Sequence, residues 1–153
     1  MCIRDSLLDW AEKHPLVDRN RIVMTGNSGG GVLTAYTAAI DIRIRVAIPS
    51  CSFTSVMSAE GFIFHCDCCL VPKLRDWGDW KELGGLVAPR HLLIVHGVDD
   101  SLHHPPTVEK LAVSIGKIFQ AAGVPNHIAL KWGNSGHRFY PEKMWPFFEK
   151  GLR

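Results

Sequence analysis

Hydrophobic positions along this chain fall into short apolar runs separated by stretches of helical period. The clearest run, His91-Leu92-Leu93-Ile94-Val95, predicts a strand buried on both faces, as in a parallel sheet covered by helices on each side. Residues 22–25 and the run Val46-Ala47-Ile48 read as two more buried strands, the second ending at Pro49. Residues 128–132 alternate around Lys131, which fits a strand near the sheet edge. Four helices are predicted between and around these strands. The first spans 7–14 and stops at Pro15; the second spans 32–40, with Val32, Leu33, Tyr36, Ala39 and Ile40 at helical spacing. A long amphipathic third carries Val108, Leu111, Ala112, Ile115, Ile118, Phe119 and Ala122 and ends at Gly123 and Pro125. The last lies around 144–150, with Pro146 in its first turn.

Strands alternating with helices predict an α/β fold, a three-layer α/β/α sandwich with a mainly parallel sheet and right-handed crossovers. Periodicity fades over residues 50–90, where Phe53, Phe62, Phe64, Trp77 and Trp80 lie among glycines, prolines and cysteines. That length suits an insertion, a lid or a substrate-lining segment. Most of its aromatics are expected to pack as the insertion's own small core. Phe53 is the exception, because it follows a strand's carboxyl end and is expected to face the site.

Composition narrows the function classes. The chain has 153 residues, 46% hydrophobic and 21% charged, enough for one domain with a buried core. A formal charge of +2, with no basic cluster interleaved with aromatics, gives no reason to expect nucleic acid or a membrane surface as partner. No apolar run approaches the ~20 residues of a membrane span. The N-terminus lacks a secretory pattern; Met1-Cys2-Ile3-Arg4-Asp5-Ser6 resembles a translated sequencing adapter joined to an incomplete frame, which leaves localisation undetermined. Of the five cysteines, Cys66, Cys68 and Cys69 cluster beside His65, without the paired spacing of structural zinc sites. Buried free thiols, Cys51 among them, are the preferred reading over a disulfide or a metal, and no cofactor or metal is expected.

The candidate chemistry centres on Thr25-Gly26-Asn27-Ser28-Gly29-Gly30-Gly31, between a predicted strand and a predicted helix. A Gly-x-Ser-x-Gly spacing at such a junction is the signature of a nucleophile elbow, in which Ser28 sits on a sharp turn and Gly26 and Gly30 remove side chains that would collide. The N–H of Gly29 and the following helix N-terminus would then point at a developing oxyanion. Asn27 and Phe53 are candidate substrate-facing residues. A serine hydroxyl needs a base, and His137, in the polar loop Gly133-Asn134-Ser135-Gly136-His137, supplies an imidazole. A carboxylate must orient that imidazole; Asp100 is preferred over its neighbour Asp99, since the two cannot both face one histidine. His96 reads as structural, and His103 and His104 as surface or rim residues, with a pocket-lining position for one of the two as the alternative.

Ser28, Asp100 and His137 occur in the order of the α/β-hydrolases. His-Gly-x-x-Asp at 96–100, Ala88-Pro89-Arg90, Gly26-Asn27-Ser28-Gly29-Gly30 and Gly136-His137-Arg138-Phe139-Tyr140 together resemble the acetylxylan-esterase-like and dienelactone-hydrolase-like branch of that superfamily. Pro49-Ser50-Cys51, the His65-Cys66 segment and Trp145-Pro146-Phe147-Phe148 are similar to the same group. The resemblance implies Ser28 as nucleophile, Asp100 as acid, His137 as base and Gly29 as one oxyanion donor, acting on carboxylic esters, with acetyl esters of carbohydrates as one substrate class. Prolyl-oligopeptidase-type peptidases share the elbow and acid loop, so a peptidase remains an alternative, as does a non-catalytic binding domain that keeps the fold. The resemblance also implies that residues 7–153 are the C-terminal portion of one domain, whose earlier part would supply further strands and the second oxyanion donor.

Overall fold

The computed structural model describes residues 3–58 and 71–152, with side chains of the first helix described from Leu7. In chain order the elements are α1 (Ile3–Lys13), β1 (Val23–Asn27), α2 (Gly29–Ile40), β2 (Val46–Ser50), α3 (Leu74–Trp77), α4 (Trp80–Gly85), β3 (His91–Gly97), α5 (Pro105–Ala121), β4 (Ile128–Gly133) and α6 (Pro141–Gly151). The strands form one parallel sheet in the order β1-β2-β3-β4. No described helix is long and apolar enough to cross a membrane.

Burial follows the hydrophobic pattern. Every residue of β2 and all of β3 after His91 are buried, while β1 and β4, at the two edges, are only partly covered. On one face α2, α4 and α5 enclose a core with Ile44, Phe53, Trp80, Leu92, Ile94, Ile115 and Phe119. On the other, α6 packs Met144 and Phe147 against Val46, Ile48, Leu93 and Val95. The three layers are thus helices, sheet and one helix. Small residues let α2 lie close: Ala35 and Ala38 are 2% and 0% exposed. Arg90 ties the end of α2 to the sheet, its guanidinium donating to the carbonyls of Ala38, Asp41 and Ile44, which satisfies acceptors that a helix C-terminus leaves open.

Three expectations need correction. β2 does not end at Pro49 but at Ser50, with Pro49 opposite Gly26 of β1. Its pairing with β3 has partners at Val46, Ala47 and Ser50, so the missing N–H of Pro49 falls in the gap in that ladder. The last helix starts at Pro141, which occupies its first turn; Pro146 lies inside. Phe53 does not face the site: it is completely buried, edge-on to Trp80 with ring centroids 5.1 Å apart. Trp80 is likewise core, and Trp77 is 88% exposed. Phe62, Phe64, His65 and the cluster Cys66, Cys68 and Cys69 lie outside the described residues. Within 71–90 the chain folds into α3 and α4, and Asp79 caps α4 in a capping box with Glu82. The same carboxylate accepts from Val56 N at 2.9 Å and from the Ser55 hydroxyl, so one cap also fixes the segment after β2.

Candidate active site

Parallel pairing places the carboxyl ends of the strands level, with Asn27 beside Ser50, Ser50 beside Val95 and Val95 beside Lys131. Loops leaving these ends meet over one edge of the sheet, where sites form in open α/β folds. Ser28, Asp100 and His137 all arise there.

Ser28 links β1 directly to α2, at φ 55° and ψ −119°. Its N–H donates to Ser50 O at 2.9 Å and its carbonyl accepts from Val32 N at 3.0 Å, closing the first turn of α2. A side chain on Gly26 would overlap the Gly30 backbone, so the sharp turn demands glycine there. Gly30 is a correction: a Cβ at that position meets nothing within 4 Å. The second steric requirement falls on Gly31, where a Cβ would overlap the Ser52 side chain and come within 2.7 Å of Ser50 O. Gly29 opens α2 and is exposed. Asn27 is half-buried, and its Oδ1 accepts from the Ser50 hydroxyl at 2.9 Å, bracing the ends of β1 and β2.

The acid and base loops are built against each other. Val98 N donates to Gly133 O at 3.0 Å and Asp99 N to Ser135 O at 3.2 Å. Gly97 permits this approach, since a Cβ would strike the carbonyls of Ser135 and Gly136. Tyr140, fully buried, donates its hydroxyl to Gly136 O and lies under the Arg138 guanidinium at 4.8 Å. On this frame His137 Nδ1 donates to Asp100 Oδ2 at 2.9 Å. Asp99 is exposed, whereas Asp100 is 3% exposed.

One residue here departs from the surface or rim position preferred for it. His103 is buried, and its Nδ1 lies 3.2 Å from the same Asp100 Oδ2, its ring parallel to that of His137 within 13°. The available signal was its spacing, three residues after the acid in a tight turn, which returns a side chain to its neighbour. His104 instead starts α5, exposed, with its ring on Thr107. Burial alone would raise the Asp100 pKa, but donation from His103, His137 and Leu102 N outweighs it and holds the carboxyl well below the usual range. His96 is structural: fully buried, it donates through Nε2 to Phe53 O at 3.0 Å, and burial lowers its pKa to about 3.

The structure therefore joins Asp100 to His137 and holds Ser28 on a strained turn at the same sheet edge; among the described residues, no hydrogen bond links the Ser28 hydroxyl to His137. Among the described residues, two groups of side chains have the donor atoms to hold a metal, Asp100 with His103 and His137, and Asp100 with Cys51 and His96.

Known proteins share this architecture. A glucuronoyl esterase of carbohydrate esterase family 15 from Caldicellulosiruptor kristjansonii superposes with a TM-score of 0.81 at 23% identity, covering 97% of this chain and 48% of its own. The glucuronoyl esterase catalytic domain from Hypocrea jecorina gives 0.77 at 20% identity, over 95% and 49%. These likenesses establish an α/β-hydrolase fold. By sequence, the Bacillus subtilis (strain 168) protein named "Putative hydrolase YtaP" is 31% identical over 147 residues, 90% of this chain and 48% of the relative. The chain thus spans about half the length of the relatives it matches. The family model described as the prolyl oligopeptidase family matches residues 6–144. By that match the chain belongs to the prolyl oligopeptidase family of hydrolases.

Proposed function

We propose that this chain carries the catalytic half of a serine hydrolase for carboxylic esters, in which Ser28 is the nucleophile, His137 the base and Asp100 the acid. The observation that carries this reading is the Asp100–His137 hydrogen bond at the sheet edge where Ser28 emerges on a left-handed turn. Donation from Nδ1 to Asp100 fixes the tautomer and leaves Nε2 to take the Ser28 proton as Oγ attacks the ester carbonyl. Gly29 N–H, at the start of α2, would bind the oxyanion. Collapse of the adduct expels the alcohol, protonated by His137, and water then releases the acid from the Ser28 ester by the same steps. The esterase neighbours favour an ester substrate, with Asn27 facing it; family membership favours the second reading, a peptidase.

On this reading residues 7–153 are the C-terminal portion of a longer domain, with residues 50–90 as its insertion, and the second oxyanion donor comes from an earlier loop. Loss of one donor costs about 100- to 1000-fold in rate, so the isolated chain should be slow. The test is covalent labelling with a fluorophosphonate. Ser28 should label slowly, and Ser28→Ala should abolish the adduct by mass spectrometry. An unlabelled but folded chain would indicate a binding domain that keeps the fold. Acetyl-ester and peptide substrates, offered to a full-length relative, then separate esterase from peptidase.

A further inference from the structure

Beneath the Asp100–His137 pair lie the Cys51 thiol and the His96 ring. Both residues are 0% exposed, and Cys51 Sγ, a His96 ring nitrogen and an Asp100 carboxylate oxygen lie within 4.8 Å of one another. His96 spends its one N–H on Phe53 O through Nε2, so Nδ1 carries the lone pair. That Nδ1 is buried without a hydrogen-bond partner, a condition that costs free energy until something accepts the lone pair. Cys51 is a free thiol that donates to Arg138 O at 3.3 Å.

We propose that Cys51, His96 and Asp100 form a three-ligand site for a zinc-like divalent ion, and that filling it draws Asp100 away from His137. Mixed sulfur, nitrogen and carboxylate donors suit zinc; magnesium and calcium take oxygen. Zinc bonds of about 2.0–2.3 Å set tetrahedral donors roughly 3.5 Å apart, so closing the ring needs a contraction of about 1 Å. On binding, the Cys51 S–H bond breaks, sulfur keeps the electron pair and forms the metal–sulfur bond, and the proton leaves to solvent. One thiolate, one carboxylate and a neutral imidazole balance a doubly charged ion, and a neutral complex is what a buried position tolerates. Leu102 N occupies one of the two acceptor positions of Oδ1, and His103 and His137 share Oδ2, so Oδ1 keeps a lone pair for the ion. Closing the ring draws the carboxylate toward Cys51 and His96 and stretches the donation from His137. The binding site stands on its own geometry; only its inhibitory effect rests on the proposed triad.

The test uses the 153-residue chain with Cys2, Cys66, Cys68 and Cys69 changed to serine, which leaves Cys51 as the sole thiol. Titration with cobalt(II) should bring up thiolate-to-cobalt charge-transfer absorption in the near ultraviolet, saturating at one ion per chain and removed by zinc. Cys51→Ser should abolish that absorption. His96→Gln and the near-isosteric Asp100→Asn should each weaken binding at least tenfold, the smallest loss typical when a metal site is perturbed; circular dichroism checks that each variant is folded. Absence of the absorption in the folded parent overturns the site, as does unchanged affinity in a folded His96→Gln or Asp100→Asn. With the same single-thiol chain, one equivalent of zinc should slow fluorophosphonate labelling at least tenfold, a chelator should restore it, and Cys51→Ser should remove the slowing. Binding without slowing removes the link to the triad. No labelling even with chelator sinks the hydrolase reading instead and leaves the cobalt result standing.

Discussion

Ser28 occupies a backbone region that L-residues seldom enter, φ 55° with ψ −119°, at a cost of about 1–3 kcal/mol. Glycine meets no such penalty, although its freer unfolded chain returns about 0.4–1 kcal/mol of the gain. Ser28→Gly should therefore be more stable than Ser28→Ala by about 1 kcal/mol in denaturant unfolding, while neither labels; equal or reversed stabilities would exclude strain at this turn. Two histidines set a pH dependence. Burial first, then neighbouring charge, lowers His91 to about 4 and His96 to about 3, and His91 also stacks on His127 with centroids 3.9 Å apart. Between the ordinary histidine value near 6.5 and these folded values the unfolded chain binds more protons, so stability falls as pH drops through this window. The denaturant midpoint should be lower at pH 4.5 than at pH 7.5, and His91→Gln should reduce the difference. Asp100, held below the usual carboxylate range, adds to this loss only as pH nears the ordinary value of about 3.9, where the unfolded chain takes up its proton. His103 shows why a site is only partly legible in sequence: its polarity predicts a rim position, whereas the acid it faces makes burial affordable for a histidine.

Among elements, legibility tracked how completely packing dictated the residue pattern. β3 could be read directly, since a strand covered on both faces needs an unbroken apolar run. The start of α6 and the true end of β2 could not, because each turned on what a proline meets: a free first turn at Pro141, and a gap in the ladder at Pro49. Gly-x-Ser-x-Gly likewise named Gly30, whereas the crowded position is Gly31, where α2 passes over the end of β2. That contact is visible only once the strand is in place. Gly31→Ala should force α2 away from Ser50 and cost about 1–3 kcal/mol as an overpacking change, with slower labelling of Ser28. Gly30→Ala, with open space around it, is the matched control for stability; equal losses at both positions would refute the assignment.

For the whole molecule, the sheet edges differ in kind. β4 carries exposed Lys131, a charge suited to an outer edge. β1 pairs only with β2 among the described residues, and beside it an apolar cavity of about 260 Å³ is lined by Val23, Thr25, Ile48, Met144, Trp145 and Phe148. Asp100 and His137 follow the neighbouring strands β3 and β4, locked by loop hydrogen bonds; Ser28 follows β1, held along one side. Local opening draws first on segments with the fewest partners. The first strand to let go therefore takes the serine with it and leaves the Asp100–His137 pair assembled. In a urea series, labelling of Ser28 should disappear at a lower concentration than the circular dichroism of the helices, and β1 amides should exchange faster than those of β3; coincident transitions would show that β1 opens only with the rest. Loss of Ser28 labelling would then be the release of a single strand, reversible well before the protein unfolds.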